Sequence, residues 1–276
     1  MKIKPYIILS RPPLTILGFL ASASLLSWSG RLFTLEGILT MLSIGLGNMG
    51  WTIMNEVVDV EVDRVNKPWK PLPSGQANIK KALIMSVALI AVSVWILAIL
   101  IQTTNDPIYM LGFLGHLLSS CYDLIDRGLI GNICMAGSYG TAALLSLYPK
   151  HLLFAPTFAM TTFSFNLMVQ YQDLKAEKTK GRRVAPEQLN GLGTSILSVT
   201  LSAVCMVLLY SMYLETLYTP LVLFIAIHPF IIASSIIIVL PISDNIKDRV
   251  VENCERRISR LLMILGFLWI LLRNLT

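Results

Sequence analysis

Three polar residues follow a long apolar segment at a regular spacing: Asn55, Asp59 and Asp63. The preceding segment 35–54 is nearly uncharged, so these residues stand where a membrane-spanning helix would meet water. On a continuing α-helix, the i, i+4, i+8 spacing places the amide and both carboxylates on one face. Like charges one turn apart repel unless a cation lies between them, and Mg²⁺ prefers carboxylates together with waters and phosphate oxygens. The spacing therefore predicts half of a diphosphate–Mg²⁺ site.

A second acidic pair stands further along the chain. Asp173 and Glu177 follow another long apolar span and are again one helical turn apart. Asp59 and Asp173 are separated by 114 residues, as are Asp63 and Glu177. Two acidic faces at one offset, each at the end of an apolar helix, indicate an internal duplication. Solvation of helix ends is the simpler alternative, but it explains neither the shared spacing nor the repeat.

The composition is that of a polytopic membrane protein. Of the 276 residues, 55% are hydrophobic and 14% are charged, and the mean hydropathy is +0.69, whereas soluble domains carry about 25% charged residues. The net charge is +6, but the cations form short clusters between apolar spans, which argues against a nucleic-acid partner. The four cysteines show no paired or CxxC spacing and are expected to be reduced. The first apolar stretch lacks a small-residue cleavage pattern and is expected to be retained as a helix.

Nine apolar segments predict an all-α membrane protein with about nine transmembrane helices. They run over 12–28, 35–54, 82–101, 107–121, 129–147, 152–169, 192–213, 220–240 and 258–272. The repeat of the acidic faces divides them into two pseudo-repeats of four helices plus one. We expect one domain over residues 1–276, with motif loops at 55–81 and 170–190.

The distribution of cations predicts the orientation. With the N-terminus and the loops after even-numbered segments on one side, nineteen of the 22 Lys and Arg residues lie on that side, leaving only Arg31, Lys150 and Arg273 opposite. The positive-inside bias makes the cation-rich side cytoplasmic. Both acidic faces would then open to the cytoplasm.

Several cations lie beside the acidic faces, and the favoured candidates for holding diphosphate oxygens are Arg64, Lys67 and Arg182. The alternative for each is membrane topology and contact with lipid phosphates. Arg11 opens the first helix and either reaches a substrate or snorkels to the interface. Residues 67–75 contain three prolines and a glycine, which exclude a helix and predict a stiff lid.

Other motifs favour structural roles. Gly45, Gly47 and Gly50 match GxGxxG, but they lie inside a membrane span with no strand before them, so close helix packing is expected instead of dinucleotide binding. His116 and His228 are isolated in apolar spans, where packing is favoured over ligation. No Ser-His-Asp or Cys-His set for nucleophilic catalysis can be assembled.

Asn55, Asp59 and Asp63 resemble the NxxxDxxxD motif of the UbiA superfamily of intramembrane prenyltransferases. The residues that follow, 63–75 (DRVNKPWKPLPSG), are similar to the sequence after that motif in archaeal and chlorophyll-synthase members. Residues 128–132 (GLIGN) resemble the GxxGN that opens the fifth helix of the family. The resemblance covers essentially the whole chain.

Asp173, Glu177 and Gly181 resemble the second family motif, with Glu177 in place of the usual aspartate. Glu56 likewise stands where the family usually has aspartate. The loop after the fourth helix carries Tyr122 and a single basic residue, Arg127, where the family typically offers a tyrosine with one or two lysines.

The resemblance implies a nine-helix bundle around one central cavity and a reaction in which Mg²⁺ draws charge off a prenyl diphosphate, leaving an allylic cation for the acceptor to attack. It implies that Asp59, Asp63, Asp173 and Glu177 are catalytic and hold Mg²⁺ with Asn55. Together with the cations named above, the predicted substrate-binding residues are Asn55, Arg64, Lys67, Arg127, Arg182, Arg11, Tyr122 and Asn132.

The residues of the first motif favour the archaeal glycerophospholipid branch of the superfamily, in which a geranylgeranyl group is transferred to geranylgeranylglyceryl phosphate. An aromatic quinone precursor or a tetrapyrrole is the alternative acceptor, and ionisation or cyclisation without an acceptor is a further one. From a different class, a cation-coupled transporter or lipid-binding membrane protein would need broken helices or mid-span charges, and the sequence indicates neither. The expected partners are a prenyl diphosphate, a lipophilic acceptor and membrane lipids.

Overall fold

A computed structural model describes residues 3–125, 127–178, 184–241 and 243–275, and these contain helices and connecting turns without a strand. The helices are α1 (Lys4–Leu9), α2 (Pro12–Ser29), α3 (Leu35–Val58), α4 (Val60–Asn66), α5 (Ile79–Thr104), α6 (Met110–Ser120), α7 (Leu129–Leu147), α8 (Phe154–Lys178), α9 (Ala185–Thr216), α10 (Leu221–Val239), α11 (Asp244–Val251) and α12 (Arg260–Leu275). A 3₁₀ turn (Pro107–Tyr109) precedes α6, and π-helical turns follow α6 (Cys121–Ile125) and precede α12 (Glu252–Ser259).

The prediction of an all-α membrane protein is confirmed. Seven of the described helical segments are long and apolar enough to cross a membrane: Leu35–Val58, Ile79–Thr104, Pro107–Ile125, Leu129–Leu147, Ala185–Thr216, Leu221–Val239 and Arg249–Leu275. The first and sixth predicted spans coincide with α2 and α8, which are not among those seven. The count of nine spans therefore stays a prediction.

The long helices form a closed series of neighbours. Each packs against the next along the chain, from α2 through α10 to α12, and α12 packs against α2. Ser24 in α2 donates a hydrogen bond to the carbonyl oxygen of Phe267 in α12 at 2.7 Å, joining the first and last long helices. Because both partners are buried, this bond is shielded from competing donors.

Glycines and small hydroxyl residues let α3 and α5 approach closely. A Cβ at Gly50 would lie 2.7 Å from Ile90 Cγ1 and 3.1 Å from the carbonyl oxygen of Ser86. Ser86 in turn donates to the carbonyl oxygen of Gly50 at 2.8 Å. The structure thus gives Gly50 the close-packing role expected from the sequence.

Histidine 116 also has a structural role. Its Nδ1 accepts from the Trp51 indole at 3.0 Å, so its Nε2 carries the proton and donates to Ser93 Oγ at 2.9 Å. These contacts link α3, α5 and α6 inside the bundle.

The two ends of the bundle carry different polar groups. Asn55, Asp59 and Asp63 lie at one end, called the motif end below. At the opposite end, Arg31 donates to the carbonyl oxygens of Leu145 and Tyr148 at 3.2 and 2.9 Å. The basic residue Arg31 therefore closes the C-terminus of α7, where carbonyl groups lack helical partners.

The first acidic motif does not lie on an uninterrupted helix. The helix ends at Val58, Asp59 has φ −85° and ψ −2°, and α4 starts at Val60. The Asp63 amide still donates to the Asp59 carbonyl oxygen at 2.8 Å, so the one-turn spacing persists across the break. Residues at both ends of the two expected loops are helical. For the loop 55–81, α3 continues to Val58 and α5 begins at Ile79; for the loop 170–190, α8 continues to Lys178 and α9 begins at Ala185.

Candidate active site

Four carboxylates are buried together at the motif end. Glu56, Asp59 and Asp63 come from the α3–α4 segment, and Asp123 comes from the π-helical turn Cys121–Ile125. Each is at most 8% exposed. Because a buried carboxylate is costly without a partner, their burial requires nearby cations or hydrogen-bond donors.

Lys70 bridges two of these carboxylates. Its Nζ lies 2.6 Å from Asp63 Oδ2 and 3.0 Å from Glu56 Oε2. The turns of the proline-rich loop position it, since the Lys70 amide donates to the Lys67 carbonyl oxygen at 3.0 Å and the neighbouring Leu72 packs into a small core. The loop therefore delivers a single lysine into the cluster.

Arg127 covers Asp59. Its Nη1 and Nη2 each lie 3.1 Å from a different oxygen of the Asp59 carboxylate, and Nη2 is 4.0 Å from Asp123 Oδ1. Burial lowers the pKa of the Arg127 guanidinium, but Asp59, Tyr122 and Asp123 together outweigh it, so this pKa is raised above its ordinary value. Arg127 is thus permanently charged where an anion would bind.

Arg11 contacts the cluster from the break between α1 and α2. Its φ is 45°, in the left-handed region that non-glycine residues seldom adopt. Arg11 Nε donates to Glu56 Oε1 at 2.6 Å, and Nη2 also pairs with that carboxylate. The strained backbone directs the guanidinium inward to Glu56.

Asn55 has a defined amide orientation. Its Nδ2 donates to Asp123 Oδ1 at 2.8 Å, and its Oδ1 lies 3.5 Å from Arg11 Nη2. A carboxylate accepts hydrogen bonds and a guanidinium donates them, so both neighbours require the same orientation. The amide oxygen of Asn55 therefore faces away from Asp123.

A second group of polar side chains holds the Arg127 loop. Asn132 Nδ2 donates to the carbonyl oxygens of Arg127 and Gly128 at 3.2 and 3.0 Å and to Gln170 Oε1 at 2.8 Å. Gln170 Nε2 contacts the Arg127 carbonyl oxygen at 3.3 Å and the Tyr122 hydroxyl at 3.5 Å. Asn132 is completely buried, which favours a role in holding the loop over the expected contact with substrate.

The remaining predicted site residues are placed as follows. Arg64 is half-exposed and pairs with Glu61 at 2.9 Å, away from the cluster, and Lys67 is exposed. Arg182 and the side chains of Asp173 and Glu177 lie outside the described residues. The backbone of both acidic positions belongs to α8, and Gln170 on the same helix contacts the Arg127 loop.

Three residues of the cluster were not singled out as site residues from the sequence: Glu56, Lys70 and Asp123. Glu56 was noted only as a departure from the family pattern. Nothing in the local sequence separates Lys70 from Lys67 or Arg64, because the choice depends on how the loop turns. Asp123 is the one that the sequence could have indicated, because it follows an apolar span and lies on the side of the membrane predicted for Asp59.

The donor set fits Mg²⁺ bound together with a diphosphate. Within the described part of the chain, no three His, Cys, Asp or Glu side chains converge to hold a metal by themselves. Mg²⁺ in phosphate sites, however, needs only one or two carboxylates, with waters and phosphate oxygens completing its shell. Asp59, Asp63 and the oxygen of Asn55 are hard oxygen donors of this kind, and each contacts a cation of the cluster.

The fold and the cluster together define an integral membrane protein whose buried, charge-compensated polar site lies at one end of a helical bundle. The model of the UbiA prenyltransferase family matches residues 12–244, and the chain belongs to this family. The resemblance stated from the sequence is thereby confirmed.

Similar proteins include two curated enzymes and two solved structures. Digeranylgeranylglyceryl phosphate synthase of Methanosphaera stadtmanae is 28% identical over 81% of this chain and 83% of its own length. The enzyme of that name from Saccharolobus solfataricus is 28% identical over 92% and 89%. A structure from work on digeranylgeranylglyceryl phosphate synthase in membranes has a TM-score of 0.72 at 18% identity, covering 99% of both chains. A UbiA homologue from Archaeoglobus fulgidus bound to GPP and Mg²⁺ has a TM-score of 0.66 at 18% identity, covering 97% of this chain and 99% of its own. At these identities the two structures support the fold.

Proposed function

We propose that this protein transfers a geranylgeranyl group from its diphosphate to geranylgeranylglyceryl phosphate, in a Mg²⁺-dependent reaction at the motif end. The observation that supports this most strongly is the pairing of Asp59 with Arg127 and of Asp63 with Lys70 inside one buried cluster. A site for a metal–diphosphate complex needs carboxylates that bind the metal ions and basic side chains that bind the phosphate oxygens. The two kinds of group must lie within a few ångströms of each other. Membership of the UbiA prenyltransferase family supports the same reaction.

The residues of the cluster have separate tasks in this proposal. Arg127 and Lys70 bind diphosphate oxygens and stabilise the negative charge that develops as the C1–O bond of the donor breaks. The acceptor hydroxyl oxygen forms the new bond to C1, and its proton passes to the released diphosphate. Bound Mg²⁺, held by Asp59, Asp63 and Asn55, with Asp173 and Glu177 proposed as the second pair, would neutralise the leaving group.

The acceptor is proposed from the relatives. Several similar proteins carry the name digeranylgeranylglyceryl phosphate synthase. An acceptor that itself carries a phosphate would suit Arg11, whose side chain is 39% exposed while it contacts Glu56.

We further propose that the motif end faces the cytoplasm and that residues 1–276 act as one domain. The support for the orientation is the excess of Lys and Arg in the loops on that side. At the opposite end, Arg31 binds backbone carbonyls and Arg273 lies 4.8 Å from the ring centre of Tyr218, so these two cations have structural partners.

The test uses purified protein in detergent with labelled geranylgeranyl diphosphate, Mg²⁺ and one candidate acceptor at a time. We expect a labelled product with geranylgeranylglyceryl phosphate, no product with EDTA, and loss of product in Asp59→Asn. Transfer to an aromatic acceptor alone would replace the proposed acceptor. If the prenyl diphosphate is not consumed with any acceptor, prenyl transfer is contradicted and the cation-transport alternative is favoured.

A further inference from the structure

Asp123 touches two residues of the proposed site without belonging to either acidic motif. It accepts from Asn55 Nδ2 at 2.8 Å and lies 4.0 Å from Arg127 Nη2. It is 8% exposed and sits on a π-helical turn, an irregularity that is frequent at functional sites. These two contacts offset part of the cost of burying this carboxylate.

The contact with Asn55 decides which atom of that amide points away from Asp123. With Nδ2 committed to Asp123, Oδ1 is the atom turned toward the rest of the cluster. Only the oxygen of an amide can ligate a hard cation. Without an acceptor at position 123, the 3.5 Å contact with Arg11 Nη2 would be left to hold this orientation.

The contact with Arg127 matters when a cation binds. Arg127 contacts both oxygens of Asp59, so a metal that takes these oxygens displaces the guanidinium. Arg127 is 14% exposed and would then be buried without its partner. Asp123 Oδ1 needs only about 1 Å of movement to reach the 2.7–2.9 Å of a charge-assisted hydrogen bond.

We propose that Asp123 is a positioning residue of the metal–diphosphate site: it holds the Asn55 amide with its oxygen turned away from Asp123 and receives Arg127 when a divalent cation takes Asp59. This inference rests on the proposed function of the site. It assigns a role to a residue outside both acidic motifs, and that role is exerted through Asn55 and Arg127.

Two substitutions separate the two contacts. Asp123→Asn keeps an oxygen that can accept from Asn55 but removes the charge for Arg127, whereas Asp123→Ala removes both. Mg²⁺ binding to the substrate-free protein is measured by calorimetry. We expect the dissociation constant to rise about 3- to 10-fold in Asp123→Asn, within the range of measured coupling between contacting residues, and further in Asp123→Ala. Glu61→Gln removes one charge at the same end outside the cluster and should change it less than about twofold.

A double-mutant cycle distinguishes positioning from direct ligation. In an Arg127→Gln background, Asp123→Asn should have less than about a twofold effect, because its partner is already gone. An undiminished effect in that background would make Asp123 a direct ligand and overturn the inference. So would wild-type affinity in both Asp123 variants.

Transfer by the wild-type protein is assayed in parallel. If the wild type transfers the prenyl group with Mg²⁺ and the Asp123 variants bind Mg²⁺ with the same affinity as the wild type, the inference fails and the proposed function stands. If the wild type neither binds Mg²⁺ nor transfers the group, both fail.

Discussion

The guanidinium of Arg127 lies against both oxygens of the Asp59 carboxylate, at 3.1 Å each, although the two residues are 68 positions apart. In the proposed site, a metal ligand and a cation for phosphate are therefore in contact before any substrate arrives. Lys70 and Asp63 repeat the arrangement at 2.6 Å. In the proposed site, each acidic residue of the first motif thus has a cation that would exchange partners when a metal–diphosphate complex binds.

Replacing Arg127 should affect the metal and the diphosphate in opposite directions. In Arg127→Gln, Asp59 loses its competing cation, so we expect tighter Mg²⁺ binding by the substrate-free protein. The same change removes a charged contact to the donor, which should raise the KM for the prenyl diphosphate by about tenfold or more. Calorimetry and steady-state kinetics measure the two effects. Weaker Mg²⁺ binding in this variant would contradict the exchange of partners.

Lys70 and Lys67 form a matched pair in one loop. Lys70→Met leaves Glu56 and Asp63 without their shared cation, so we expect kcat/KM to fall by about 100-fold, the size of removing one preorganised charge contact. Lys67 is exposed, and Lys67→Met should stay within about threefold of the wild type. Lys70→Arg keeps the positive charge and serves as the control for loss of folding. Equal losses at positions 67 and 70 would mean that the loop turns differently when substrate binds.

Close packing of α3 on α5 can be tested at Gly50. A Cβ there would lie 2.7 Å from Ile90 and 3.1 Å from a backbone oxygen, whereas a Cβ at Gly191 would meet Ile238 at an ordinary 3.8 Å. We expect Gly50→Ala to destabilise the protein by about 1–3 kcal/mol and Gly191→Ala to have little effect. Thermal unfolding in detergent compares the two variants. Similar midpoints for both would show that the helices can separate without cost.

A histidine at the opposite end should make stability depend on pH. His151 stacks on Trp28 with ring centres 4.3 Å apart, and its pKa is lowered, first by burial and then by Lys150. A lowered pKa means that the folded state favours the neutral imidazole. The neutral form of His151 therefore contributes fully to the stability of the fold above the ordinary pKa of about 6.5, and this contribution is lost as the pH falls below that value. His151→Phe keeps the stacked ring without the titration. We expect its unfolding midpoint to fall less than that of the wild type between about pH 7.5 and pH 5, and an identical fall would remove His151 as the cause.

Hydrophobic patterning predicted the helices well. The fifth span was predicted at 129–147 and the helix is Leu129–Leu147, because a membrane-spanning helix must satisfy all its backbone hydrogen bonds within an apolar stretch. Boundaries at the motif end were less accurate. There α8 and α9 extend into charged sequence, to Lys178 and from Ala185.

The site could be predicted only in part. The spacing of Asn55, Asp59 and Asp63 was sufficient to place a polar face at a helix end. Selecting Lys70 over Lys67 required the turns of the loop, which depend on where Leu72 packs. Pairing Asp123 with Asn55 required knowing that the fourth span continues as a π-helical turn, and hydropathy carries no information on such a turn.

Binding of an unreactive donor analogue tests the central claim most directly. Thermal stabilisation of the purified protein is measured with geranylgeranyl thiodiphosphate, with Mg²⁺, and with both, for the wild type and Asp59→Asn. We expect the two ligands together to stabilise the wild type more than the sum of their separate effects, and this excess to vanish in Asp59→Asn. An analogue that binds the wild type equally with and without Mg²⁺, or binds Asp59→Asn as it binds the wild type, would contradict a metal–diphosphate site at this cluster.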